Sequence, residues 1–462
     1  MSAIDTLAAL WKLAELPEAT LRHAILTGAE PVLPSSFAVG TAAQTSVAAA
    51  ALAAVELGQV RGQPYQQVSV DMTHAALECS GWFSLDGITP DVWDKFSGLY
   101  RCADGWVRIH ANFAHHRDGA LRLLGLSADT AQRADAERAL LSWRALDFEQ
   151  AAADAGLVVA ACRSLAVWDA HPQGHAVAAL PLFSIERIGD AEPRTLPALY
   201  TADRPLTGLR VLDLTRILAG PVCGRMLAAY GADVMLINSP HLPNIESIAD
   251  TSRGKFSAHV DLQTVAGRDA LFRLLATSNV FVQGYRPGAL AAHGFGPEQA
   301  ARLRPGIVYV SLCAYGDAGP WHGRRGFDSL VQTATGFNLA EAAAANSAEP
   351  KALPMQILDY ATGHLMAFAA ITAVRRQTLE GGSWHVNVSL AQTGHWLRSL
   401  GRMANGFSIE RPQATPYIET ATSGFGELAA VAHSAKFSRT PMLWARPSMP
   451  PGTHPPEWPP AG

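Results

Sequence analysis

The second half of the chain alternates short apolar segments with helical ones, and this alternation restricts the fold more than any other feature. Runs rich in apolar and β-branched residues occupy 209–214, 233–238, 279–283 and 307–314. Each run precedes a segment with helical periodicity, a pattern typical of βαβ units around a parallel sheet that is covered on both faces. The sequence therefore predicts an α/β fold in which ligands bind at the carboxyl ends of the strands.

The loop after the first of these runs, 215–221, leads into a helix that is predicted to begin near Val222. A helix N-terminus in this position can receive a phosphate group. The loop does not contain the G-x-G-x-x-G pattern that a closely approached pyrophosphate requires, so a nicotinamide dinucleotide is not favoured.

The first half is organised differently. An amphipathic helix at 4–16, an Ala-rich helix at 41–57 and an alternating strand at 67–72 precede a hairpin with strands on either side of 103–105. Helical segments and a Pro-marked linker at 191–205 follow. We predict a smaller α+β domain and four divisions of the chain: 1–78, an incomplete helix and strand unit; 79–200, the small domain; 201–400, the ligand-binding domain; and 401–462, a Pro-rich extension.

An internal repeat links the two halves. QQVSVDMTHAAL at 66–77 resembles WHVNVSLAQTGHWL at 384–397, with Val68 matched to Val386 (386 − 68 = 318), and an apolar helix precedes each copy. Matching the glycines Gly40 and Gly363 in those helices gives a different offset (363 − 40 = 323) and sets Ser36 against Asp359. On that alignment the first copy lacks the carboxylate of the second.

Composition restricts the class of partner. The 462 residues are 48% hydrophobic and 16% charged, which suits compact cores, and a net charge of −4 argues against a general nucleic-acid or membrane-surface role. An anionic ligand must therefore meet local Lys and Arg side chains. The N-terminus lacks a signal-peptide layout and the apolar run at 46–57 is too short for a bilayer, so a cytoplasmic protein is expected. Five scattered cysteines indicate reduced thiols, and no metal site is predicted.

Asp359 is the candidate catalytic residue. It stands in LPMQILDYATGHLMAFAA, between an apolar run and residues at helical spacing, which predicts a position at or just before a helix N-terminus. An Asp in this position commonly caps a helix by accepting a backbone N–H hydrogen bond. A carboxylate in an apolar pocket can instead act as a nucleophile. The spacing alone leaves both roles open.

Several separate motifs then carry a family resemblance. LTGLRVLDLTRILAGPVCGRMLAAYGADVMLIN, GYRPGALAAHGFGPEQAARLRPGIVYVSLCAYGDAGP and RGFDSLVQTATG resemble, in order and spacing, the family III CoA transferases, the formyl-CoA and carnitine CoA-transferase group. The resemblance covers about 205–399 and, more weakly, 36–197. It implies a Rossmann-like large domain, a small domain, interlocked dimers, and a catalytic Asp at the position of Asp359.

The resemblance also implies contacts with coenzyme A. It places Ile217, Leu218 and Ala219 along the CoA molecule, Gly284, Tyr285 and Ala289 near the nucleotide, and Arg325 beside the pantetheine or the phosphates. The other basic residues predicted to meet CoA are Arg216, Arg253, Lys255 and Arg286. The expected substrates are an acyl-CoA thioester and a small carboxylic acid. A homodimer is favoured, while the fused halves leave a monomer open.

The implied reaction moves CoA between carboxylic acids. Ionised Asp359, with a reference pKa of about 3.9, would attack the thioester to form an acyl-aspartyl anhydride. Two departures from the family pattern leave alternatives open. Residues 237–240 lack the charged pair expected near a CoA phosphate, which leaves a non-catalytic CoA-binding protein open. Phe327 replaces the His that related α-methylacyl-CoA racemases use, so racemisation is disfavoured, with His322 and His364 as the nearest substitutes in sequence.

Overall fold

A computed structural model of the protein describes residues 1–459, whose helices and strands we number in chain order. Residues 1–78 form α1 (Ala3–Leu13), β1 (Ala24–Thr27), α2 (Val39–Val60), β2 (Val68–Asp71) and α3 (Met72–Glu78). The next segment forms β3 (Phe83–Leu85), β4 (Gly98–Arg101), β5 (Trp106–Ile109), α4 (Ala114–Leu123), α5 (Arg133–Leu140), α6 (Ala145–Asp154), β6 (Val159–Ala161), α7 (Leu165–Asp169), α8 (Pro172–Ala179) and β7 (Phe183–Gly189).

The second half supplies most of the regular structure around the large sheet. Its elements are β8 (Arg210–Leu214), α9 (Ala219–Ala229), β9 (Asp233–Asn238), α10 (Ile248–Thr251), β10 (Lys255–His259), α11 (Val265–Leu275), β11 (Val280–Gln283), α12 (Pro297–Leu303), β12 (Val308–Cys313), α13 (Asp328–Ala334), α14 (Phe337–Ala344), α15 (Ile357–Glu380), β13 (Ser383–Ser389) and α16 (Leu390–Ser399). The last strands are β14 (Ile418–Ser423), β15 (Gly426–Val431) and β16 (Ala435–Phe437).

Seven strands form the large sheet, in the order β10-β9-β8-β11-β12-β13-β7. Six of them run parallel, and β7 from the first half joins the edge antiparallel to β13. α9 and α15 cover one face, with α2 packed behind α15, while α11 and α12 cover the other. Burial on both faces explains why the strands are almost continuously apolar. The predicted α/β fold with a parallel sheet is confirmed.

α15 is the central helix of the core. It is long and apolar enough to cross a membrane, yet the apolar part that would do so is buried entirely inside the protein. The helices α2 and α9 both pack closely against it. A helix enclosed in this way needs no polar face, which accounts for its even distribution of apolar residues.

The repeat predicted from the sequence is present, but one of its two alignments is wrong. α2 and α15 begin 318 residues apart (357 − 39 = 318), the same offset as the strands, and the residues before them have matching dihedral angles: φ −77°, ψ 60° at Ala38 and φ −79°, ψ 59° at Gln356. Ser46 and His364, also 318 apart, contact each other across the two helices at 3.2 Å. Asp359 therefore corresponds to Thr41, not to residue 36.

Two packing features bear on the predicted divisions of the chain, which themselves stay predictions. A separate apolar core joins residues between Phe96 and Ala161, a narrower range than the predicted 79–200. The C-terminal segment is not a simple extension, because β16 pairs with β2 and β15 pairs with β3 of the first half. These pairings join residues far apart in sequence, which local patterns do not reveal. Residues 460–462 of that segment lie outside the described residues.

Candidate active site

Asp359 lies in the first turn of α15 and faces a cavity of about 250 Å³, which we call the Asp359 cavity. Its carboxyl group is largely buried, with 8% of the residue exposed. The predicted position near a helix N-terminus is confirmed. A small cavity at this position suits a reactive acyl group that must be kept from water.

The helix-capping role belongs to Asp328 instead. Oδ2 of Asp328 accepts a hydrogen bond from the backbone N–H of Asp359 at 2.9 Å, and Oδ1 accepts one from Gln332 Nε2 at 2.5 Å. Asp328 thus fixes the start of α15 and leaves the side chain of Asp359 free to face the cavity. The backbone of Ala219, the first residue of α9, hydrogen-bonds toward the Asp359 carboxyl group and favours its anionic form.

The pKa of Asp359 is higher than the reference value that was assumed from the sequence. Burial, and then the negative charge of Asp328, raise the pKa of Asp359 well above its usual range, while the contact with Ala219 lowers it. Burial likewise raises the pKa of Asp328 to about 6. Two adjacent buried carboxyl groups resist ionising together. At acidic pH the pair therefore retains a proton, and Asp359 ionises only as the pH rises.

Distant segments of the same chain build the Asp359 cavity. The first half contributes Trp93, His110 and Asn112, and the loop before α9 contributes Ile217 and Leu218. Within the described residues, Arg411 is the one arginine or lysine on its wall. The remaining lining residues are Ser80, Gly81, Val92, Ile245, Ser247, Phe327, Asp328, Ser329, Pro354, Met355, Gln356 and Tyr360. Both halves of the chain therefore contribute to the wall.

A second cavity, of about 360 Å³, adjoins the first at Ile217 and Phe327, which line both. We call it the arginine-lined cavity, after Arg216, Arg286, Arg324 and Arg325. Arg324 is partly neutralised by Glu149 at 3.5 Å, and Arg325 donates to the carbonyl oxygen of Gly156 at 2.9 Å. No acidic side chain within residues 1–459 lines this cavity, so its charge suits phosphate groups.

A third, smaller cavity of about 200 Å³ continues from the second at the carboxyl ends of β8, β9 and β10. It shares Leu214, Leu242, Tyr285 and Ala289 with the arginine-lined cavity. Ile217, at the junction with the Asp359 cavity, has a positive φ of 78°. A β-branched residue in this conformation is strained, and such strain is concentrated at functional loops.

Most of the predicted CoA contacts lie on these walls. Gly284, Tyr285, Ala289 and Arg325 line the arginine-lined cavity, as do Arg216 and Arg286, while Leu218 lines the Asp359 cavity and Ile217 lines both. Ala219 lies beneath the Asp359 carboxyl group. These placements agree with the predicted positions, although the contacts themselves stay predictions.

Two predicted basic residues are placed elsewhere. Lys255 is fully buried, where its Nζ donates to Asp213 Oδ2 and to the carbonyl oxygen of Pro221, both at 2.8 Å. Arg253 is buried against Asp250 and pairs with Glu419 at 2.8 Å. Their charges are neutralised inside the protein, because a buried cation needs a partner. This geometry argues against the predicted contacts of Lys255 and Arg253 with CoA.

The histidines also differ from expectation. His364 is enclosed between helices and His322 is exposed, and neither lines the Asp359 cavity. His110 does, and His115 and His116 line the arginine-lined cavity. The sequence analysis assigned no role to these three histidines. The one signal was their density, three histidines within seven residues at the end of the second predicted hairpin strand.

Comparison with known proteins relates the chain to one family. Residues 206–422, slightly less than half of the chain, match the family model described as CoA-transferase family III. An acyl-CoA transferase of Gibberella moniliformis is 28% identical over 425 residues, which covers 82% of this chain and 74% of that protein. This alignment is too long for the second half alone, so the relative also matches part of the first half.

Other relatives match a shorter part. A probable fatty acyl-CoA transferase of Mycobacterium tuberculosis is 32% identical over 46% of this chain and 58% of its own length. A succinate–glutarate CoA-transferase of Agrobacterium fabrum is 30% identical over 51% of this chain and 65% of its own length. The chain thus spans less than two-thirds of both. A crystal structure of Rv3272 from M. tuberculosis aligns with a TM-score of 0.40 and 31% identity over 43% of this chain and 56% of that one.

Proposed function

We propose that the protein is an acyl-CoA:carboxylate CoA-transferase in which Asp359 is the covalent nucleophile. The observation that carries the proposal is the position of Asp359, on the wall of a small cavity that adjoins the arginine-lined cavity. The phosphates of CoA would lie among Arg216, Arg286 and Arg325, and the pantetheine would pass Ile217 and Phe327 to bring the thioester to Asp359. The names of the relatives support acyl-CoA thioesters and small carboxylates as substrates.

The reaction conserves the energy of the thioester. The Asp359 carboxylate attacks the acyl carbonyl carbon, the C–S bond breaks, and CoA leaves as the thiolate. The thiolate then attacks the aspartyl carbonyl, which releases the first carboxylic acid as its anion and leaves an aspartyl-CoA thioester. The acceptor carboxylate displaces the thiolate again to form a second anhydride. Final attack by the thiolate on the acceptor carbonyl releases the new acyl-CoA and restores Asp359.

The residues around Asp359 have distinct parts in this scheme. Asp328 holds the start of α15, so the nucleophile keeps one orientation. Arg411 would meet the acceptor, since it is the cation on the cavity wall and the acceptor enters as an anion.

One specific observation favours a second reaction. His110 lines the Asp359 cavity and its ring stacks on Phe327 with centroids 4.0 Å apart, so an imidazole is present where the sequence suggested none. A base opposite Asp359 is what α-proton exchange of a 2-methylacyl-CoA would require. Incubation of such a thioester in deuterated water tests this alternative, and the transferase proposal expects no deuterium at the α-carbon.

Trapping of the covalent intermediate tests the main proposal. Protein incubated with an acyl-CoA and hydroxylamine should carry a hydroxamate on Asp359, detected by peptide mass spectrometry. Asp359→Asn should lose both the label and CoA transfer, whereas Asp190→Asn, at a fully exposed carboxylate, should behave as the wild type. Turnover that survives in Asp359→Asn would contradict the proposal. Wild-type protein that binds CoA without label or turnover would instead indicate a binding protein.

A further inference from the structure

His110 is a buried polar side chain on the wall of the Asp359 cavity. The transferase reaction proposed above gives it no role. His110 follows β5 directly, and its backbone N–H donates to the carbonyl oxygen of Val158 at 3.2 Å. The residue is 6% exposed and lines the same cavity as Asp359. The hairpin of the first half therefore delivers an imidazole to a nucleophile that belongs to the second half.

Aromatic side chains fix the plane of the imidazole. Its ring stacks on Phe327 at 4.0 Å with an interplanar angle of 15°, and the edge of Trp93 meets it at 5.7 Å and 77°. Phe327 precedes α13, whose first residue, Asp328, caps the helix of Asp359. The imidazole is thus held against the same backbone that positions the nucleophile, and a donor held in this way needs little reorganisation when charge develops.

Neither ring nitrogen of His110 has a hydrogen-bond partner within the described residues, and Nδ1 is fully buried whereas Nε2 is not. A buried polar atom without a partner costs about 1–3 kcal/mol. The nearby Asn112 differs, because its Nδ2 donates to Val92 at 2.7 Å and its Oδ1 accepts from Ser97 at 2.6 Å. His110 therefore has unused hydrogen-bonding capacity, and Nε2 is the ring nitrogen that a molecule in the cavity can reach.

The imidazole is also neutral. Burial, then the positive charges of Arg108 and His116, lower the pKa of His110 to about 3. A neutral imidazole carries one N–H donor and cannot form an ion pair with the carboxylates of Asp359 and Asp328. It consequently leaves the nucleophile free while offering a hydrogen bond to a neutral carbonyl oxygen.

We propose that His110 donates a hydrogen bond to the acyl carbonyl oxygen of the bound thioester and stabilises the oxyanion that forms there. This inference rests on the proposed transferase function. As an oxygen of Asp359 bonds to the carbonyl carbon, the π electron pair moves onto the carbonyl oxygen, which accepts the N–H of His110. The oxyanion then collapses, the C–S bond breaks and CoA leaves as the thiolate. His110 keeps its proton throughout.

The test compares His110→Phe and His110→Asn with the wild type. Phe keeps the stacking on Phe327 but removes both nitrogens, so kcat should fall by about 10²–10³-fold, as for loss of one oxyanion donor, with little change in the KM for acyl-CoA. Asn restores an N–H donor and should recover part of the rate. Because His110 is neutral, the acidic limb of the pH profile should not move. His23→Phe, which keeps a similar stack on Tyr65 away from the cavity, is the matched control.

Other results would overturn the proposal. Unchanged kcat in His110→Phe would remove His110 from the reaction. Ser329 also lies on the cavity wall, and its Oγ is buried without a hydrogen-bond partner within the described residues. If Ser329→Ala lowered kcat and His110→Phe did not, Ser329 would be the donor. If the wild type incorporates deuterium at the α-carbon and His110→Phe does not, His110 acts as a base instead. Failure of the transferase proposal is distinguishable, since the wild type would then form no hydroxamate on Asp359. If His110→Phe does not fold, His110→Asn and Ser329→Ala decide the outcome.

Discussion

Gly363→Ala tests how the close packing of α9 on α15 supports the nucleophile. A Cβ atom at Gly363 would lie 2.4 Å from the carbonyl oxygen of Ala219 and 2.8 Å from Cβ of Val222. Both contacts are shorter than real Cβ atoms tolerate, and the nearer atom is backbone, so α9 must move. The same residue, Ala219, supplies the backbone contact to the Asp359 carboxyl group. A methyl group outside the cavity should therefore disturb the chemistry inside it.

Two opposing contributions set the expected change in the free energy of unfolding of Gly363→Ala. Overpacking a dense core costs about 1–3 kcal/mol, and the backbone contact favours the upper end. Replacing Gly by Ala within a helix returns about 0.5–1 kcal/mol. We expect a net loss of about 2 kcal/mol in the free energy of unfolding. Loss of a hydrogen bond to a charged group costs about 1.5–3 kcal/mol, which lowers kcat/KM about tenfold to a hundredfold.

Two assays measure these effects. Denaturant unfolding should report the stability loss, and the pH dependence of kcat/KM should show its acidic limb at higher pH, because Asp359 loses a contact that lowers its pKa. Gly394→Ala in α16 is the control, since its Cβ would lie 3.2 Å from the ring edge of Phe337 and 3.7 Å from Leu358. If Gly363→Ala has the stability and kcat/KM of the wild type, the argument that α9 packs too closely on α15 to admit a methyl group is refuted.

The remaining predictions concern charges in the Asp359 cavity. Asp328→Asn removes the like charge that raises the pKa of Asp359, so the acidic limb of kcat/KM should shift to lower pH, opposite to Gly363→Ala; an unmoved limb would contradict the coupling. The amide side chain of Asp328→Asn would have one acceptor oxygen where Asp328 has two, so one N–H donor near Gln332 would lose its acceptor and some stability should be lost as well. Arg411→Gln should raise the KM for the acceptor carboxylate about fivefold, the worth of a partly exposed ion pair, without changing the KM for acyl-CoA; equal changes in both would contradict this role.

Local patterns predicted most of the large sheet. Four of its six parallel strands, β8, β9, β11 and β12, are apolar runs with a following helix, whereas β10 (Lys255–His259) is less apolar and was not among the predicted runs. The position of Asp359 in a first helical turn was predictable for the same reason. The edge strand β7 and the strand β16 were not, because they pair with β13 and β2 across long stretches of chain. Nothing in a short window encodes such a partner.

The site residues also fall into two groups: those that local sequence patterns could place and those that only the assembled structure places. Ile217, Leu218 and Tyr285 follow strands of the parallel sheet, so their place at its carboxyl edge could be inferred. Lys255 lies at the start of such a strand, and only the structure shows that Asp213, two strands away, neutralises it. His110 is defined as a site residue by its stack on Phe327, which is contributed by the other half of the molecule. Its burial and missing partners are properties of the assembled fold.

The corrected repeat shows what the two copies share and where they differ. At both helix starts an acidic side chain accepts the backbone N–H of the third residue: buried Asp328 from Asp359 at 2.9 Å, and half-buried Glu30 from Thr41 at 2.6 Å. The two copies therefore share the device that fixes the helix. They differ in the residue at that third position, which is Asp359 in one copy and Thr41 in the other, and of the two only Asp359 lines the Asp359 cavity. The first half contributes His110 to the wall of that cavity instead of a second carboxylate.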